Sequence, residues 1–227
     1  DKEWKLDDLV RQAMAKWPNV PDCYGWLGLD SRGQWHMRDD RVQALGSFQS
    51  GVPGAKGSVL RHEKLMEFIQ RNYEPDAQGR WYFQNGPQRV YVELAATPYI
   101  ARTAPMGGFV THDGAALAGI DRVWMTEEGR LVLQGSGKLA MVDDRDLADC
   151  AGMLRIDGTP VDDDALLAWL ERMQGELQLN TGGRLITITP VRSDELGKRL
   201  GFDSHPARRH AKKLNAASPA PASSPDS

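Results

Sequence analysis

Asp30-Ser31-Arg32-Gly33-Gln34-Trp35-His36-Met37 and Asp76-Ala77-Gln78-Gly79-Arg80-Trp81-Tyr82-Phe83 are two versions of one pattern. A polar turn opens on Asp, closes on Gly, and passes through one polar residue into a large apolar one. Thr126-Glu127-Glu128-Gly129-Arg130-Leu131-Val132-Leu133 follows it, and Asn180-Thr181-Gly182-Gly183-Arg184-Leu185-Ile186-Thr187 echoes it. The glycines Gly33, Gly79, Gly129 and Gly183 stand 46, 50 and 54 residues apart. Glycine supplies the left-handed backbone that such a turn needs. Trp35, Trp81 and Leu131 are therefore expected to begin strands and to be buried. Period-two alternation puts Met37, Phe83 and Leu133 on the same faces as them. The fold class that follows is α+β: repeated antiparallel strand–turn–strand units with interleaved amphipathic helices.

Around these turns the period supports the same reading. Trp81 to Gln84, Asn85-Gly86, and Arg89 to Leu94 read as a hairpin, with Asn-Gly supplying the positive φ angles. Val90, Val92 and Leu94 face one way; Arg89, Tyr91 and Glu93 face the other. Leu131 to Gln134, Gly135-Ser136-Gly137, and Lys138 to Val142 read as a second hairpin. Helical spacing appears at Leu6, Leu9, Val10, Ala13, Met14 and Trp17, before Pro18 and Pro21. It appears again from about 58 to 73, with Ser58 as the expected cap, and after the Asp162-Asp163-Asp164 run. Shorter helices are expected after Asp144 and after Ser193. The division predicted is a helix over 1–21, α+β domains over 22–104 and 105–202 with two copies of the turn each, and a tail over 203–227. That tail is basic, then rich in Ala, Ser and Pro, and is expected to be disordered.

Composition narrows the function classes. The 227 residues carry 28 Lys+Arg against 31 Asp+Glu, a formal net charge of −3, which excludes a generally basic nucleic-acid binder. Apolar runs are only a few residues long, too short for a transmembrane helix. Cys23 and Cys150 belong to no CxxC and read as reduced thiols of a cytoplasmic protein. Asp1-Lys2-Glu3-Trp4 does not read as a secretory signal, and a leader removed before Asp1 stays open.

The run Tyr24-Gly25-Trp26-Leu27-Gly28-Leu29-Asp30, with Gly33-Gln34-Trp35, resembles a proteobacterial family of conserved proteins of unknown function. The stretch Leu60 to Ile69, Gly79 to Phe83, and Val90-Tyr91-Val92-Glu93 follow in the same order, so the resemblance covers roughly residues 20–155. More distantly the order is similar to a second uncharacterised bacterial family, with "dGxWxy", "dGxYxl" and "IxVEdxPf" strands. Ala95 and Ala96 depart from the acidic residue expected after Glu93. That second family implies an α+β fold with repeated motifs, and signal transduction has been suggested for it. The resemblance implies no catalytic residue.

Local motifs for chemistry are few. Gly135-Ser136-Gly137-Lys138 lacks the spacing of a P-loop, and Gly51 to Ser58 has Lys and Gly in the wrong order. The second loop is expected to end at a helix N-terminus, which makes Lys56, Gly57 and Ser58 a candidate anion site. His62-Glu63 lacks the second His of HExxH, Asp143 to Asp146 lacks the Gly of a calcium loop, and there is no GxSxG. No metal or cofactor is expected. His112-Asp113-Gly114 is the one local candidate for proton chemistry, with a surface turn as the plainer reading. Lys198, Arg199, Arg208, Arg209, Lys212 and Lys213 form a local basic patch that suits phosphate, RNA or anionic lipid, or simply a solvated tail. The leading reading is a non-enzymatic module binding a protein or small ligand through Arg89, Tyr91 and Glu93, with signalling as a role. The competing reading is a hydrolase-like enzyme using His112, Asp113 and nearby carboxylates.

Overall fold

The computed structural model describes residue 15 and residues 17–218. The helix expected over residues 6–17 therefore lies almost wholly outside the described residues. The architecture is α+β, with two mixed sheets and short helices.

The first sheet has six strands: β1 (Asp22–Leu29), β2 (Trp35–Met37), β3 (Ser58–Val59), β4 (Tyr73–Pro75), β5 (Trp81–Asn85) and β6 (Gln88–Leu94). Their order is β3-β2-β1-β6-β5-β4, and β1 and β6 run parallel at its centre. The second sheet has nine: β7 (Tyr99–Thr103), β8 (Phe109–Thr111), β9 (Ile120–Met125), β10 (Leu131–Gly135), β11 (Lys138–Val142), β12 (Leu154–Ile156), β13 (Thr159–Pro160), β14 (Gln178–Thr181) and β15 (Arg184–Pro190). Their order is β13-β12-β14-β15-β9-β10-β11-β7-β8, with parallel pairs β15/β9 and β11/β7. The helices are α1 (Asp40–Leu45), α2 (Glu63–Arg71), α3 (Leu147–Ala151), α4 (Asp163–Arg172), α5 (Leu196–Leu200) and α6 (Pro206–Ala217).

Three turns in the pattern share one hydrogen-bond scheme. In each, the first residue's N–H donates to the fifth residue's carbonyl, and the glycine N–H donates to the first residue's carbonyl. The pairs are Asp30/Gln34 with Gly33, Asp76/Arg80 with Gly79, and Thr126/Arg130 with Gly129. Asp30 Oδ1 accepts from Arg32 and Gln34 N–H, and Asp76 Oδ1 accepts from Gln78 and Arg80 N–H. This is the three-residue hairpin loop with a left-handed closing residue. The pairs Leu29↔Trp35, Pro75↔Trp81 and Met125↔Leu131 flank it. Residues 104–108 and 111–115 adopt the same scheme, closing on Gly107 and Gly114, although their sequences do not carry the Asp-x-x-Gly-x-Trp signature. The loop 104–108, where the sequence suggested a boundary, joins β7 to β8 within one sheet; the chain passes between the sheets at 95–98. The Asn180–Thr187 echo is a tighter turn, since Thr181 pairs directly with Arg184.

Several local expectations need correction. Asn85 stays in β5 paired with Gln88, so the turn is Gly86-Pro87 and only Gly86 has positive φ. In the other hairpin Gly135 pairs with Lys138, and Ser136-Gly137 supply both positive φ angles. Ser58 caps no helix: Ser58 and Val59 pair with Met37 and His36, and α2 starts at Glu63, capped by His62 Nδ1. Residues 206–217 form a helix that takes in Asn215 to Ala217 of the stretch expected to be disordered, and residues 219–227 lie outside the described residues. Pro206 at the first helical turn and the His210 ring stacked 4.2 Å from Tyr24 hold α6 against β1 and β6. Helix α4 does start within the Asp162-Asp163-Asp164 run, with Asp163 and Asp164 in its first turn and Asp162 capping it.

Trp35 and Leu131 are each 1% exposed, and Trp81 is half-buried against Tyr73 and Tyr99. One buried cluster draws on both sheets, joining Leu27, Trp35, Val92 and Leu94 to Ile100, Trp124, Val132 and Met141. A second lies within the nine-stranded sheet, around Leu133, Val142, Trp169 and Leu179.

Candidate functional site

The β1/β6 pair decides where Arg89, Tyr91 and Glu93 lie. The face expected to point outward is covered: Tyr91 is 2% and Glu93 1% exposed. Helix α6 lies over it, Tyr91 stacks on Tyr24 at 4.6 Å, and Arg89 sits over the Tyr82 ring. Alternation alone shows two faces; it cannot show that a distant helix covers the second. Glu93 accepts from His205 Nδ1 at 2.9 Å and from Gln49 Nε2 at 3.4 Å. Gln49 also donates to the carbonyls of Leu94 and Ser204. Together these bonds tie the loop after α1, the end of β6 and the start of α6.

In front of this knot opens a cleft of about 1200 Å³. Three of the hairpin loops reach its wall, through Ser31, through Ala77-Gln78-Gly79, and through Thr126, Glu128 and Arg130. The opposite wall is residues 193–204, which cross from the nine-stranded sheet to the six-stranded one. Their course is fixed at both ends. Glu127 accepts from Ser193 N–H at 2.9 Å and from its hydroxyl. Asp203 N–H donates to Gly79 O at 2.8 Å, and Leu94 N–H to Ser204 O. Gly79 has φ +76° and a Cβ there would lie 2.5 Å from Gly201 O, so only glycine lets the two walls meet.

The remaining edge is the loop over residues 46–57. Arg38, 3% exposed, donates to Ala55 O, Gly25 O and Gly46 O at 2.8, 3.0 and 2.7 Å. Burial pushes its guanidinium below the usual range. Phe48 lies on Gly28, where a Cβ would stand 2.6 Å from the ring. The Lys56 ammonium rests 4.6 Å above that ring and donates to Phe48 O at 3.1 Å. Lys56 thus faces the cleft, whereas Gly57 is packed on Met37 O and Ser58 is in β3. No helix begins there, so the anion site expected at a helix N-terminus is not formed.

His112 and Asp113 sit in the 111–115 loop, away from the cleft lining. Asp113 accepts from the Thr111 hydroxyl, Ala115 N–H and Lys138 Nζ. The His112 ring packs on Trp35 at 5.7 Å and Tyr99 at 5.6 Å, and Nδ1 accepts from Ile100 N–H. Nε2 is shielded and has no partner. Burial drives its pKa down to about 4. A group held neutral in the fold contributes stability above its unfolded pKa of about 6.5 that is lost as pH falls towards 4, roughly 3 kcal/mol in all. Chemical denaturation between pH 7 and 4 should show this loss, and His112→Asn, which keeps the acceptor, should flatten that part of the curve. A variant with the same pH profile as the parent would refute the assignment.

A family model described as "Protein of unknown function (DUF2946)" matches residues 6–207. The chain belongs to this family. No curated protein matches it. Two crystal structures are similar. A DUF1285 family protein from Silicibacter pomeroyi DSS-3 has 13% identity, covers 85% of this chain and 99% of its own, and gives a TM-score of 0.46. A DUF1285 family protein from Shewanella baltica OS155 has 11% identity, covers 55% and 89%, and gives 0.37. Membership of the DUF2946 family supplies no activity, so the site stands on this chain's own residues.

Among the described residues, no group of three or more His, Cys, Asp or Glu could hold a metal, and no helix is long and apolar enough to cross a membrane. Cys23 and Cys150 are free and buried, and burial pushes both thiols up to about 12. Lys198 and Arg199 lie on α5, and Arg208, Arg209, Lys212 and Lys213 on α6. Lys198 lines the cleft. Gln49, Arg130 and the 193–204 wall escaped the sequence reading. Arg130 stood inside a quoted turn, but nothing local says that the turn faces a cavity.

Proposed function

We propose that this chain is a non-enzymatic binding module whose small ligand sits in the cleft between the three hairpin loops and the 193–204 wall. The observation that carries the reading is the convergence of loops 30–34, 76–80 and 126–130, far apart in sequence, on one cavity. Loops held by a rigid scaffold are where binding residues concentrate, and a concave site of this size is ordinary for a small molecule. The reading makes the similar turns a repeated building unit, supported by their common hydrogen bonds. It also assigns Glu93 to holding Gln49 and His205 behind the cleft. A regulatory or signalling role in the cytoplasm is part of the proposal, and two buried free thiols suit a reducing compartment.

A fragment library screened by protein-observed NMR tests it. Hits should shift Ser31, Gln78, Arg130 and Lys198, and Ala77→Trp, at an exposed cleft position, should abolish them. Hits that map to other surfaces, or that survive Ala77→Trp, would reject the site.

A further inference from the structure

Lys56 and Arg130 line the cleft, are half-buried, and make no ion pair among the described residues. Each is held by neutral groups: Lys56 by Phe48 O and the Phe48 ring, Arg130 by Val142 O at 3.0 Å. The Arg130 Nε is shielded and has no partner. The neighbouring arginines differ. Arg80 pairs with Asp76 at 2.8 Å, Arg32 with Asp144 at 3.0 Å, and Arg192 with Glu127 at 3.9 Å. A half-buried cation that meets only neutral groups gives up part of its hydration without gaining a counter-ion. The lining also carries acids, but none stands within ion-pair distance of Lys56 or Arg130: Glu128 and Asp194 are exposed at the rim, and Asp203 Oδ1 accepts from His205 N–H at 3.0 Å. Lys198, exposed on α5, adds positive charge along the same wall.

Resting on the cleft reading, we propose that its ligand carries an anionic group, phosphate or carboxylate, received by Arg130 and Lys56. Their carbonyl partners fix both side chains in place while leaving the charge uncompensated. An arginine and a lysine on the wall of one cleft each offer an oxyanion a charge-assisted hydrogen bond.

Calorimetric titration of the full chain with inorganic phosphate, citrate, a neutral sugar and choline tests the class. Phosphate or citrate should bind and the other two should not; which of the two binds separates phosphate from carboxylate recognition. Arg130→Gln and Lys56→Gln should each weaken the anion about tenfold or more. Both should stay folded with at most a modest fall in melting temperature, since each gives up one hydrogen bond to a carbonyl and no ion pair. Raised salt should weaken binding further. Absence of anion binding, or equal affinity in both variants, would overturn the proposal. If neutral or cationic fragments bind and are lost in Ala77→Trp while anions do not bind, the ligand class is wrong and the cleft reading stands. If Ala77→Trp affects no ligand, both fall.

Discussion

Trp35→Ala is expected to lower stability by about 3–5 kcal/mol, the usual cost of emptying a large aromatic site in a packed core. Trp35 is 1% exposed and meets Tyr73 edge-on at 5.3 Å and His112 at 5.7 Å. Tyr73 belongs to the six-stranded sheet and His112 follows β8 of the other, so the indole packs between the two sheets. Truncation opens a cavity that neither sheet can fill without moving, because both sides are backbone-paired. Urea unfolding should give a lower midpoint with an unchanged slope, and melting should fall by roughly 10 °C for a chain of this size. Trp35→Phe should recover a good part of the loss. A change below about 1 kcal/mol in Trp35→Ala would mean that the sheets are held elsewhere.

Arg38→Met is expected to cost about as much, roughly 3–5 kcal/mol, for a different reason. Its three donors satisfy three backbone carbonyls, those of Gly25, Gly46 and Ala55. Methionine matches the length of the side chain and its apolar stem, but leaves those acceptors buried without partners. The 46–57 loop should loosen first, and Gln49 and Lys56 with it. Hydrogen exchange should therefore quicken in residues 46–57 before it does in β14 or β15. Arg38→Lys should rescue only in part, since one ammonium cannot span three carbonyls in the geometry of a guanidinium fork. Uniform loss of protection across both sheets would show that Arg38 is not specific to the loop.

The turns were the legible part of this fold. Asp or Thr four residues before a polar-apolar pair, with Gly between, describes a loop whose chemistry is entirely local, and Gly33, Gly79 and Gly129 all take positive φ. The amphipathic stripe of α4 and the acidic run at its start were local in the same way. Residues 104–108 and 111–115 show the limit: the backbone builds the same loop around its glycine with only part of the pattern present, so sequence similarity undercounts it. The parallel pairing of β1 with β6 left no local trace. That pairing, with α6 laid over it, turned Tyr91 and Glu93 from an expected surface into buried supports. Arg38 was equally silent. Its partners lie 8 to 17 residues away and are carbonyls, which every residue has. The cleft needs all of these at once, so its lining was the least readable feature of all.

The wall made by residues 193–204 has a consequence for how the protein matures. Every strand of the six-stranded sheet is complete once residue 94 has been synthesised, yet Glu93 meets His205 and Leu94 N–H meets Ser204 O only about a hundred residues later. Closing contacts so remote in sequence are slow to form, and domains emerge from the ribosome N-terminal part first. A nascent chain thus carries all six strands of this sheet with Glu93 not yet covered by α6 or met by His205 until its C-terminal segment arrives. The cleft, whose far wall is residues 193–204, is therefore the last feature to form, and its closure marks that translation has passed residue 205.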